Sequence, residues 1–189
     1  MDDNQLIEDF LEGDQTSFEK LVKKYQDKIY NTIYSITGNR TDAWDISQDV
    51  FIKVYRSLPS FRKNSNFYTW LYRIAVNQVK DFFRKKKREK LVSIENFGRK
   101  EKESLLSIFA SAPKTAWQEL KAKELQELIQ MALNSLSVKY RTIITLREIE
   151  GLSYNEIAEA LGCSLGTVES RLYRARQKIR SLLRVLKEE

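Results

Sequence analysis

The chain has 189 residues and a formal net charge of +7, with one cysteine, Cys163, and no histidine. A single cysteine excludes an intrachain disulfide. Without histidine the usual Cys/His zinc sites and the Ser-His-Asp or Cys-His catalytic units are excluded too. No catalytic residue, cofactor or metal is therefore expected, although a carboxylate-only magnesium site stays formally open.

Six glycines and two prolines among 31% charged and 42% hydrophobic residues favour helices over a turn-rich β fold. No run approaches the roughly 18 apolar residues of a membrane span. The opening MDDNQLIEDF is acidic, unlike a secretory signal, so a cytoplasmic location is expected. Charge is unevenly placed. Residues 1–60 carry 7 basic and 11 acidic groups, and 61–90 carry 10 and 2. Residues 91–130 are neutral, and 131–189 carry 10 basic and 7 acidic groups. Two basic segments suggest two contacts with a polyanion, most often nucleic acid; two solvated helix faces are the plain alternative.

In chain order, a short helix over 4–12 is interrupted at Gly13-Asp14. Asp14 can cap a second helix, which carries Phe18, Leu21, Val22, Tyr25, Ile29, Ile33 and Ile36 at helical spacing and ends at Gly38. Thr41 can cap a third, with Ala43, Ile46, Val50, Val54 and Leu58 on one face and Pro59 as its stop. After a loop over 60–66, a fourth helix reaches about Lys90. Residues 91–113 lack a sustained period and read as a linker; a loop this long inside one compact domain is unusual, which argues for two domains. From Lys114 a long helix covers Trp117, Leu120, Leu128, Ala132 and Leu136. Ser137 can cap another, bearing Tyr140, Ile143, Ile144 and Leu146 and ended by Gly151. Ser153 to Glu156 is a capping box. No β alternation is convincing. The expected fold is all-α: two small helical domains joined by a linker, with boundaries 1–90, 91–113 and 114–189.

The most specific local signal runs from Tyr154 to Tyr173. Ile157, Ala158 and Leu161 face inward on a short helix, Gly162 permits a tight turn, and Val168 and Leu172 anchor a following helix. The other face of that helix shows Glu169, Ser170, Tyr173, Arg174, Arg176 and Gln177. This is the pattern of a helix-turn-helix, whose second helix enters the major groove. Cys163 in its turn reads as a small hydrophobe.

In FYTWLYRIAVNQVKDFFRKKKREK, residues 67–90, Leu71, Ile74, Ala75, Gln78 and Phe82 lie on one side; Trp70, Arg73, Asn77, Lys80 and Arg84 lie on another. Aromatic rings stack on unpaired bases, cations hold the backbone, and Asn reads a base edge. The combination suits partly melted DNA. Tyr68, Trp70 and Tyr72 read equally as core aromatics, and for Trp70 alone the core is favoured.

At these residues the chain resembles a known family. FYTWLYRIAVNQVKDFFR is similar to the promoter-reading helix of domain 2 in sigma factors of the extracytoplasmic-function (ECF) group, the sigma-E-like branch of the sigma-70 family. Asp42 to Arg56 resembles the group's polymerase-binding helix; Leu152 to Ala158 and Gly166 to Arg171 resemble sigma domain 4. The resemblance covers nearly the whole chain. It implies a non-enzymatic subunit of bacterial RNA polymerase that selects promoters and promotes their melting. By resemblance, Asp42, Asp45, Gln48, Asp49, Ile52 and Arg56 meet the β′ clamp helices, and domain 4 meets the β flap. Asn64, Phe67, Tyr68, Trp70, Arg73, Asn77, Lys80 and Arg84 meet the minus-ten element, where the loop before the fourth helix captures a flipped base. Ser164, Thr167, Glu169, Ser170, Arg171, Tyr173, Arg174 and Arg176 meet the minus-thirty-five element. An anti-sigma factor is the further partner implied. An acidic stripe beside a DNA-binding helix fits this picture, since it repels DNA and needs another partner. Glu169 departs from the group, which often carries Arg or Lys there; a carboxylate accepts from cytosine N4, so an altered preference is expected. Two rivals remain: a stand-alone helix-turn-helix regulator, and a magnesium-dependent nuclease or nucleotidyl transferase.

Overall fold

The computed structural model describes residues 2–61, 66–93 and 119–188. Asn64, Trp117 and most of the expected linker lie outside these residues. Among them the chain is helical throughout: α1 (Asp3–Leu11), α2 (Gln15–Thr37), α3 (Arg40–Ser57), α4 (Phe67–Ser93), α5 (Glu119–Asn134), α6 (Val138–Ile144), α7 (Tyr154–Leu161) and α8 (Leu165–Glu188).

Local chemistry sets most helix ends. The Asp14 carboxylate accepts from the Thr16 amide at 2.9 Å and starts α2. Gly38, at φ +71°, closes it in the left-handed conformation that glycine adopts without strain. The cap of α3 is Asn39, which accepts from the Asp42 amide at 2.9 Å; Thr41, expected in that role, already lies inside the helix. Helix α3 ends at Ser57 in a short 3-10 turn over Leu58–Ser60, where Pro59 lacks the amide proton that a continuing α-helix would donate four residues back. The helix expected to run from Ser137 to Gly151 is not continuous. After Ile144 it widens into a π turn over Thr145–Ile149, closed by the Glu150 amide on the Thr145 carbonyl at 3.1 Å. Ser137 stands ahead of α6 without making a side-chain cap bond.

Helices α1–α4 enclose Leu21, Ile29, Ile33, Ala43, Val50, Leu58, Leu71 and Ala75. On α4 the buried residues include Tyr72, Val76 and Val79, whereas Ile74, Gln78 and Phe82, expected inward, are only partly covered. Helices α5–α8 enclose Ile143, Leu146, Ile157, Ala160, Val168 and Leu172. In α7 the fully buried small residue is Ala160, while Ala158 and Leu161, expected inward, are half-buried. The two helical groups touch: α4 lies along α7, and α2 meets α5, α6 and the π turn, so the buried side chains form one continuous cluster.

The capping box ahead of α7 is present on both sides, with the Ser153 amide donating to Glu156 at 2.8 Å and the Glu156 amide to Ser153 Oγ at 3.3 Å. The Ser153 hydroxyl first, then its amide, hold the Glu156 carboxyl below its ordinary value of 4.5. A carboxyl lowered by folding contributes stability that is complete above pH about 4.5 and fades as pH falls through the lower folded value. The thermal midpoint should therefore drop less between pH 5 and pH 3 in Glu156→Gln than in the parent; an equal drop removes the box as the source. Ser153→Ala should cost about 1 kcal/mol at neutral pH.

Candidate polymerase and promoter surfaces

Helix α3 turns one face inward through Ala43, Ile46, Val50 and Val54, which leaves Asp45, Gln48, Asp49, Ile52 and Arg56 exposed on the other. Asp42 differs. It is partly covered and accepts from Lys86 Nζ on α4 at 3.2 Å, so it ties α3 to α4. Beside the exposed stripe lies a groove of about 910 Å³ between α2 and α3, lined by Phe18, Val22, Tyr30, Trp44, Phe51 and Tyr55 among others. Trp44 is 59% and Ile52 49% exposed at its rim. An apolar groove edged by carboxylates is suited to a helical protein partner with basic flanks. The sequence reading passed over Trp44 and Tyr55. The available signal was an aromatic residue between Asp42 and Asp45, on the otherwise polar face of α3.

Helix α4 presents Arg73, Asn77, Lys80 and Arg84 along one exposed stripe, as their spacing of four, three and four residues requires. Lys53 of α3 joins Ile74, Asn77, Gln78, Lys80, Asp81 and Arg84 around a hollow. Arg84 is paired with Asp81 at 3.0 Å on the surface, where such a pair contributes little. Two residues assigned to direct DNA contact lie elsewhere. Phe67 is 3% and Trp70 7% exposed, packed on each other and on Phe61 with ring centroids 5.0–5.9 Å apart. In this arrangement they support the start of α4 from within and offer no face for stacking a base. Tyr68 is half-buried and points its hydroxyl at Glu150.

The helix-turn-helix comprises α7, the turn at Gly162 (φ +63°) and α8. Ser164 Oγ accepts from the Thr167 amide at 3.3 Å and lies 2.9 Å from the Thr167 hydroxyl, which starts α8. Val168, Leu172 and Ala175 anchor α8 inward. Glu169, Ser170, Tyr173 and Arg174 are exposed together on its outer face, and Arg171 is half-covered. Arg176 turns back: it donates to Glu148 at 2.6 Å and lies 3.4 Å from the Tyr154 hydroxyl. That bond raises its pKa further, and the guanidinium braces the π turn against α8. Among the described residues no group of His, Cys, Asp or Glu is arranged to hold a metal ion, and no helix is long and apolar enough to cross a membrane.

Comparison with known proteins gives the family. Residues 21–89 match the family described as Sigma-70 region 2, and residues 126–179 that described as Sigma-70, region 4. These regions hold the α3–α4 surface and the helix-turn-helix, the parts of a sigma factor. The RNA polymerase sigma-H factor of Pseudomonas aeruginosa is 38% identical over 99% of this chain and 96% of its own length. The ECF RNA polymerase sigma factor SigW of Bacillus subtilis is 40% identical over 95% of this chain and 96% of its own. Among solved structures, CnrH in complex with the cytosolic domain of CnrY aligns with a TM-score of 0.69 at 27% identity, over 97% of each chain. The sigma factor RpoE of Bartonella quintana, in complex with the anti-sigma factor NepR, aligns at 0.68 over 89% of this chain and 97% of that one. The chain belongs to the sigma-70 family, within its ECF RNA polymerase sigma factors. It is thus of a class of transcription initiation factors rather than enzymes.

Proposed function

We propose that this chain binds core RNA polymerase, directs it to a specific set of promoters and promotes their melting from the cytoplasm. The observation that carries this reading is the apolar α2–α3 groove beside Asp45 and Asp49. A stand-alone DNA regulator has no use for such a surface, and its carboxylates repel DNA. Asp45, Gln48, Asp49, Ile52 and Arg56 are the polymerase contacts, with Asp42 bracing them from behind. Arg73, Asn77, Lys80 and Arg84 hold the minus-ten strand; better binding of unpaired than paired DNA draws the equilibrium toward the open promoter without nucleotide hydrolysis. Residues 1–90 and 114–189 act as the two promoter-reading domains. An anti-sigma factor is the regulatory partner, as NepR is for the sigma factor RpoE of Bartonella quintana. Run-off transcription with core polymerase on genomic fragments tests the whole reading: promoter-specific transcripts are expected, and none at any fragment would refute it.

Glu169 stands exposed on the outer face of α8, where a carboxylate is repelled by phosphate and suits a base edge instead. A carboxylate accepts from cytosine N4, a discrimination of about 1–3 kcal/mol per base. Selection from a randomised minus-thirty-five library should yield cytosine opposite Glu169, and guanine for Glu169→Arg. Identical selected sequences for the two proteins would rule out base reading at this position.

A further inference from the structure

The two helical groups are joined by a specific polar device. Glu150, at the end of the π turn, extends its carboxylate into the other group and accepts from three hydroxyls there. These are Thr32 of α2 at 2.5 Å, Tyr72 of α4 at 2.5 Å and Tyr68 of α4 at 3.2 Å. Burial, then the bond to Glu150, push the Tyr72 phenol well above its ordinary value, so it stays protonated and donates. Glu150 follows the π turn directly as its C-terminal cap residue. Around this centre Thr69 Oγ1 lies 3.5 Å from Glu156 and Lys80 Nζ 3.4 Å from the Leu161 carbonyl. One flank of α4 is therefore covered by α7.

Magnitudes decide what this form can do. The promoter elements are named for positions about 25 base pairs apart, roughly 85 Å along duplex at about 34 Å per turn of ten pairs. Helix α8 begins four residues beyond Leu161, a reach of at most about 14 Å at ~3.5 Å per residue. Its reading end thus lies within about 20 Å of Lys80 on the minus-ten stripe. Duplex DNA is stiff over ~150 base pairs and does not close that gap by bending.

We propose that Glu150 and its three hydroxyl donors form a latch that holds the free chain closed, and that the latch must open before both promoter elements are read. The need for opening rests on the sigma-factor reading above; the latch itself does not. A carboxylate among hydroxyls suits such a switch. Its hydrogen bonds are strong while the interface is dry, yet water replaces every one of them when the groups part.

The test uses the full chain, free of polymerase, with Cys163→Ser and a reporter Thr69→Cys. Thr69 is 1% exposed beside Glu156, so its replacement thiol reacts with a maleimide only as α4 and α7 part. Adding Glu150→Ala should raise the labelling rate on the order of tenfold, from the loss of charge-assisted bonds, and Tyr72→Phe should raise it less. The control is Tyr25→Phe, which removes a hydroxyl–carboxylate bond to Asp3 within the first helical group and should leave the rate unchanged. Labelling no faster in Glu150→Ala than in the parent, or a rise matched by Tyr25→Phe, overturns the latch. Run-off transcription by the parent chain is scored separately, so a failed latch and a failed sigma-factor reading give different results.

Discussion

Reversing Asp45 and Asp49 together to lysine is expected to weaken binding to core RNA polymerase at least a hundredfold while leaving the fold intact. Both carboxylates are exposed on α3 one turn apart, and neither forms an ion pair among the described residues. Their loss removes attraction, and the two lysines add like-charge repulsion to a basic-flanked partner, an effect of several kcal/mol when desolvated. Exposed positions of this kind alter stability by about 0.5 kcal/mol or less. Titration of labelled chain with core polymerase measures the first expectation, and thermal melting the second. A loss under threefold with an unchanged melt would place the polymerase surface elsewhere. Asp42 is a poor choice for the same experiment, because its reversal also breaks the tie to Lys86 and disturbs α4.

The largest loss of stability is expected at Arg141. Its side chain is 8% exposed and meets carbonyls: Ile36 at 2.8 Å, Asn134 at 2.9 Å and Leu136 at 3.0 Å. Ile36 lies in the last turn of α2 and Asn134 ends α5, so the guanidinium serves two helix C-termini where carbonyls lack partners and the dipole favours a cation. Burial alone pushes its pKa down, yet an arginine remains charged. Arg141→Met keeps the apolar stem and strands three carbonyls whose bonds are buried at Ile36 and Leu136 and partly buried at Asn134. A cost of about 3–5 kcal/mol follows from charge-assisted bonds of about 1.5–3 kcal/mol each, partly recovered by water. The thermal midpoint should fall by on the order of 10 °C. Arg141→Lys should recover little, because an ammonium cannot span the fork. A fall under about 2 °C in Arg141→Met would mean that water satisfies these carbonyls unaided. The Ile36 bond also spans the two helical groups, so this residue and Glu150 anchor the same interface from different ends.

Much of the helical layout was legible because its determinants are local. Asp14, Gly38 and the Ser153–Glu156 box act within four residues of where they stand, and the stripe of Arg73, Asn77, Lys80 and Arg84 follows from helical period alone. The acidic stripe of α3 was legible for the same reason. Trp70 shows both sides: an aromatic at helical spacing favours the core, and Phe61 and Phe67 do fold over it, whereas the family resemblance that set it against DNA beside Arg73 and Asn77 carries no information about that cover. Arg176 has the spacing of a DNA contact too, and is claimed by Glu148, 28 residues away.

The sequence by itself determined an all-α chain with a basic aromatic helix, a helix-turn-helix and the family they belong to, since each rests on residues within a turn or two of one another. Tertiary structure alone decided that α4 lies along α7, that Trp44 and Tyr55 edge a groove, and that Glu150 reaches Thr32, Tyr68 and Tyr72 across 78 to 118 residues of chain. The physical reason is common to all three. A hydroxyl or an aromatic ring carries no mark in sequence of the partner that will desolvate it, and that partner is chosen only when the helices pack.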